Sequence, residues 1–197
     1  RVFAAIGATR HARRRSRPFP VHLQSALPHW QRVRCEGRPA RLVLSNSVTR
    51  AAVFGWGTPV IAVAPSLVRT LEASDLDRVL VHEWAHVQRR DDVVSLLQTA
   101  LRVVAGWHPA VWWIDRRLHV EREIACDETA VGITGSARSY AECLMKLSNI
   151  SDVPQQVRLA PAVFARPGLR ARVMKIVSPD QPIAPVWSRA MAGAIVV

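Results

Sequence analysis

Two histidines four residues apart, with a glutamate directly after the first, form the chain's most chemically pointed string: His82-Glu83-Trp84-Ala85-His86. In a helix, positions four apart stack on one face, so both imidazoles reach a single point in space. Such a pair suits zinc, which sits about 2.0–2.1 Å from each ligating nitrogen. Glu83 is angled toward the same space, poorly placed to ligate the ion but well placed to hold a water bound there. Zinc lowers the pKa of that water toward about 7, so a carboxylate can take its proton at neutral pH. The string therefore predicts a zinc site with a general base, the chemistry of peptide hydrolysis.

Catalytic zinc takes three protein ligands and leaves a position open. The third must come from elsewhere, and a downstream segment holds Glu121, Glu123, Asp127 and Glu128. Glu123 and Asp127 are four apart, so one helix could supply Glu123 as ligand and Asp127 as the carboxylate that fixes a ligating histidine's tautomer. The same acids suit a solvated helix face paired with Arg116, Arg117 and Arg122, and the residues alone leave both readings open. Asp91 or Asp92 could hydrogen-bond a ligating histidine, or cap the next helix. His108, His119 and Tyr140 could steady an oxyanion, or be packing and surface residues. Trp107, Trp112 and Trp113 read as core or membrane-interface anchors rather than a substrate platform.

The pattern around these residues predicts an α+β fold, mainly helical, with a small β-sheet ahead of the histidine helix. Arg41–Ser45, Val48–Val53 and Thr58–Ala64 are short β-prone runs, with a turn at Phe54-Gly55-Trp56-Gly57. Ser74 reads as the N-cap of the helix carrying the motif, with Asp75 and Asp77 in its dipole-favoured first turn. Val93–Val104 is a second apolar helical run. Pro109 can open a third helix, expected to stop at Gly132. Shorter helices are expected at Tyr140–Ile150 and Leu169–Val177. The segment 151–168 carries three prolines and few large apolar residues, and is read as a mobile loop.

The formal net charge is +12, almost all of it from arginine. Arg1, Arg10, Arg13, Arg14, Arg15, Arg17, Arg32 and Arg34 lie in a leading segment, while acids gather between Glu72 and Glu142. Residues 1–38 are thus read as a basic juxtamembrane arm suited to an anionic membrane surface. The absence of a recognised binding motif argues against nucleic acid. Residues 39–150 then form the peptidase domain, and 169–197 a C-terminal helix and the start of a membrane segment. Apolar runs at Val2–Ala8 and Ala190–Val197 flank the chain, and the start at Arg1 reads as a piece of a longer protein. Cys35, Cys126 and Cys143 are odd in number with no CxxC pair, so free thiols are expected rather than a cysteine zinc site.

Three ordered blocks, HEWAHVQRRDD, WHPAVWW and EREIACDETAV, followed by YAECLMKLS, resemble the integral-membrane metallopeptidases of the β-lactam sensor-transducer type, the BlaR/MecR family. The resemblance covers roughly residues 59–150 and implies a gluzincin-type site. His82, His86 and Glu123 would then hold zinc, Glu83 would be the general base, and Asp127 would stand behind a ligand. An acid after the paired basic residues favours a structural role for Asp91. The resemblance also implies a peptidase domain on the cytoplasmic side of the cell inner membrane, between membrane helices. Its substrate would be a protein or peptide, in signalling members the protein itself, a transcriptional repressor, or both. The competing function is a non-catalytic zinc-bearing scaffold whose basic arm binds nucleic acid or anionic lipid; it would have no need of Glu83.

Overall fold

The computed structural model describes residues 16–55, 58–150 and 169–178. The apolar runs at 2–8 and 190–197, the first fifteen residues of the basic arm and the segment 151–168 lie outside the described residues.

Four short strands form one mixed sheet: β1 (Arg17–Pro18), β2 (Arg41–Leu44), β3 (Ala51–Phe54) and β4 (Val60–Val63), in the order β1-β2-β4-β3. β4 pairs parallel with β2, placing Leu44 opposite Val63, and antiparallel with β3, placing Ala51 opposite Val63. Its sequence, VIAV, is an unbroken apolar run, and all four residues are buried, as a strand covered on both faces requires. Three short helices, α1 (Val21–Ser25), α2 (Pro28–Val33) and α3 (Pro65–Thr70), flank the sheet. The longer helices follow: α4 (Ala73–Gln88), α5 (Asp91–Ala105), α6 (Pro109–Thr134), α7 (Ala137–Asn149) and α8 (Leu169–Val177). The fold is α+β and mainly helical.

α4 is the central element, packed against α2, α5, α6, α7 and the β3–β4 side of the sheet. Leu76, Val79, Leu80, Val81, Trp84, Ala85 and Val87 are all buried, so the helix is covered nearly all round. Each fully buried Leu or Val contributes about 1.5–3 kcal/mol relative to exposure. The rigidity of α4 follows from that covering.

Its start differs from the sequence expectation. The helix begins at Ala73, its N-cap is Glu72, and no side chain caps it. Asp75 lies in the first turn as expected and Asp77 just beyond it, and both are buried tertiary links. Asp75 binds Arg78 on its own helix and Lys146 on α7, at 3.0 and 2.7 Å. Asp77 accepts from the backbone N–H of His29 and Trp30, at 3.0 and 2.8 Å. It caps α2, whose own N-cap, Leu27, offers no acceptor.

Residues 16–38, expected to belong to an irregular arm, are folded into the domain. Phe19, Leu27, Trp30 and Val33 are buried in the same core as Leu80 and Val81. Four apolar residues scattered among arginines give no clean periodicity, which is why the reading by charge missed them. The following loop docks on α4: Gln88 accepts from Arg38 N–H at 2.8 Å and donates to Arg38 C=O at 2.9 Å. Gly37 there has φ +61°, and a side chain would run into the Gln88 amide.

α6 also departs from expectation. It runs through Gly132 and ends at Gly135, whose φ of +75° makes the left-handed turn that closes a helix. An interior glycine costs roughly 1 kcal/mol, which is tolerable in a long helix packed on α4. α7 starts at Ser136, whose hydroxyl accepts from Ser139 N–H.

Candidate metal centre

α4 and α6 cross so that His82, His86 and Glu123 face one another. His82 Nε2 and His86 Nε2 lie 3.2 Å apart. Glu123 Oε2 is 3.8 Å from His82 Nε2, and Oε1 is 3.6 Å from His86 Nε2. Tetrahedral ligands each about 2.1 Å from a zinc ion stand roughly 3.4 Å from one another. The three separations fit that geometry.

The outer nitrogens supply a second test of fit. His86 Nδ1 is 2.6 Å from Asp91 Oδ2, and His82 Nδ1 is 3.0 Å from Asp127 Oδ1. Each carboxylate accepts a hydrogen bond from Nδ1–H, which in the neutral ring turns the Nε2 lone pair toward the site. Two ring nitrogens facing across 3.2 Å share a positive charge, either a proton or a metal ion. The donor set, two neutral imidazoles and a carboxylate, is one zinc accepts.

Burial opposes a charged His86, but its hydrogen bonds to Asp91 and Cys126 outweigh it and lift its pKa to about 10. Burial would likewise raise Asp127. Arg172 and His82 overcome that and hold it down at about 2, so Asp127 is a fixed anion. Glu83 lines the cavity beside His82 and Glu123. Burial pushes its carboxyl up, and the two imidazoles pull against that shift.

The other candidates fall in different places. Tyr140 is buried, donating to Asp127 Oδ1 at 2.7 Å with its hydroxyl 2.9 Å from His82 Nδ1, so it braces the histidine from behind. His119 lines the cavity and is exposed, with Nδ1 3.1 Å from Arg122. His108 caps α6 by accepting from Ala110 N–H, away from the cavity. Asp92 does not reach a histidine but pairs with Arg38 at 3.1 Å.

Two residues at the centre are not marked by the sequence as part of a site: Arg172, and Cys126, which reads there only as a free thiol. Arg172 on α8 grips Asp127 through Nε and Nη2, both at 2.6 Å, and reaches Glu123 Oε2 at 3.1 Å. Cys126 is buried with Sγ 3.3 Å from His86 Nδ1 and 3.7 Å from Asp91 Oδ2, a free thiol against the back of the His86–Asp91 pair. Neither announces itself locally: Arg172 is one arginine among many, and its partners are 45 and 49 residues away.

The cavity over the site has a volume of about 620 Å³. Its polar wall is His82, Glu83, Glu123 and Arg172, and Leu67, Val79, Leu144 and Leu147 make an apolar wall. An extended peptide would find both a polar centre and a greasy subsite there.

Comparison with known proteins gives a consistent picture. The profile of the family described as BlaR1 peptidase M56 matches residues 1–176. The regulatory protein BlaR1 of Bacillus licheniformis is 26% identical over 114 residues, 56% of this chain and 19% of that protein. A protease HtpX homologue of Acaryochloris marina is 30% identical over 146 residues, 56% of this chain and 50% of the relative. The methicillin resistance protein mecR1 of Staphylococcus aureus is 22% identical over 106 residues, 53% of this chain and 18% of that protein. The chain thus spans about half of the HtpX-type relative and about a fifth of the two regulatory ones.

Proposed function

We infer, from the premise that this chain belongs to the BlaR1 peptidase M56 family, that it is a zinc-dependent endopeptidase of the gluzincin type. Its place is the cytoplasmic face of the cell inner membrane, and its role is in signalling of the antibiotic-resistance kind. Its substrate is a protein, either itself or a transcriptional repressor. The observation that carries the reading is the convergence of His82 Nε2, His86 Nε2 and Glu123 on one point, with Glu83 at their side.

Zinc held by His82, His86 and Glu123 would supply a Lewis acid and a water whose pKa falls toward about 7. Glu83 takes the proton of that attacking water and returns it to the leaving amine. Asp91 and Asp127 hold the two imidazoles in the tautomer that presents Nε2, and Tyr140 and Arg172 hold Asp127. Arg172 sets the Glu123 carboxylate against the site through its bond to Oε2. The apolar wall of Leu67, Val79, Leu144 and Leu147 accepts a large apolar side chain next to the scissile bond.

The test is direct. The zinc-loaded chain is incubated with an unfolded protein such as β-casein. Cleavage is expected, stopping on chelation and returning with added zinc. Cleavage that persists after complete zinc removal would contradict the reading.

A further inference from the structure

α5 is an inside-out helix. Val93, Leu97, Leu101 and Val104 recur at three- and four-residue spacing, which normally marks the stripe that faces a core. Here that stripe faces outward, with Leu97 63% and Val104 77% exposed, while Gln98 is buried. The buried side joins α6 through polar contacts. Gln98 donates to Asp115 Oδ1 at 2.9 Å, and Arg122 donates to Gln98 Oε1 and Ser95 Oγ, each at 3.0 Å. Arg102 lies 3.6 Å from Asp115. A hairpin with a polar seam and an apolar exterior inverts the pattern expected in water.

The tip continues the apolar surface. Trp107, in the loop between the helices, is 82% exposed, and Trp112, Trp113, Ile114 and Leu118 at the start of α6 are exposed as well. Tryptophan favours the boundary between headgroups and acyl chains. Arg102 and Arg117 on this hairpin are paired with Asp115 and Glu121, so the character of its outer surface is set by apolar side chains rather than by charge.

We propose that the α5–α6 hairpin is a monotopic anchor whose apolar face lies in the interface of a lipid bilayer. It does not span. Fifteen residues of α5 reach about 22 Å, short of the roughly 30 Å hydrocarbon core. No helix among the described residues is long and apolar enough to cross a membrane. The anchor also sets the height of the metal centre. From Trp112 to Glu123 the helix rises about 16 Å, so substrate would be cut in a segment close to the membrane surface. The inference deepens the membrane placement proposed above and does not depend on zinc.

The experiment uses the chain with vesicles of phosphatidylcholine and phosphatidylglycerol (3:1), and with the same vesicles carrying lipids brominated near the headgroup end of the acyl chains. Wild type should float with the vesicles and show quenched tryptophan emission, with much of the quenching lost in Trp107→Phe. Leu97→Gln/Leu101→Gln/Val104→Gln should partition at least tenfold more weakly in high salt, where arginine attraction is screened. Its zinc content, measured in parallel, should be unchanged, which separates failure of the anchor from failure of the metal site. Equal partitioning of wild type and triple variant would overturn the proposal. So would absence of quenching in wild type, or a wild-type dimer by sedimentation that dissociates in the variant while vesicles bind neither.

Discussion

Asp91 sits behind His86 and Asp127 behind His82, each at Nδ1, so the two imidazoles are oriented from outside the centre by separate carboxylates. Removing such a partner typically weakens metal binding 10–100-fold. Asp91→Ala should therefore weaken zinc binding by roughly that factor in competition with a chelating dye, whereas His86→Ala should lose zinc almost entirely. Full zinc occupancy in His86→Ala would remove that residue from the ligand set. The histidine pair was readable from spacing alone, because four residues is one helical turn. Glu123 and Asp127 were readable only as one acidic pair among several, and the family resemblance singled them out. Arg172 could not be read at all, since what gives it meaning is the placement of α8 across Glu123 and Asp127. Tyr140 was noticed as an oxyanion candidate, but in the fold its hydroxyl is committed to Asp127 and His82.

Among the elements, those with strong periodicity were the most legible. The strands at Arg41–Leu44 and Val60–Val63 fall within the β-prone runs, Ala51–Phe54 overlaps the run Val48–Val53 and takes in Phe54 from the expected turn, and α8 has the expected bounds. The misplaced boundaries have local causes. Ser74 looked like a cap, but α4 already begins one residue earlier, and Gly132 looked like a stop where Gly135 has the required positive φ. Asp77 looked like a first-turn acid serving the dipole of its own helix, yet it caps α2 across 48 residues of sequence. Each hydrogen bond to such a buried carboxylate contributes about 1.5–3 kcal/mol. Asp77→Ala should therefore lower the unfolding free energy of the zinc-loaded chain by about 3 kcal/mol in urea titration, and Asp77→Asn by less. A loss for Asp77→Ala within about 0.5 kcal/mol, the range of an ordinary surface change, would show that α2 holds without it. The apolar repeat of α5 was read correctly as helical, but periodicity cannot tell which side of a helix meets protein.

For the molecule as a whole, charge was the least reliable guide. It drew a boundary at residue 38, yet Trp30 and Val33 share a core with α4, so the described part of the basic segment is folded into the peptidase domain. α6, one of the two helices that carry the candidate metal centre, is also half of the apolar hairpin, so the proposed site and the proposed anchor share one element. All of this turns on Glu83 acting as the base beside a zinc ion that other residues hold. The decisive measurement is the cleavage rate of the zinc-loaded Glu83→Gln variant on a protein that wild type cuts, with zinc stoichiometry determined on the same samples. Zinc should remain at one per chain while cleavage falls by several orders of magnitude, because the amide cannot accept the proton of the attacking water. Cleavage at a rate comparable to wild type, with zinc in place, would contradict the account.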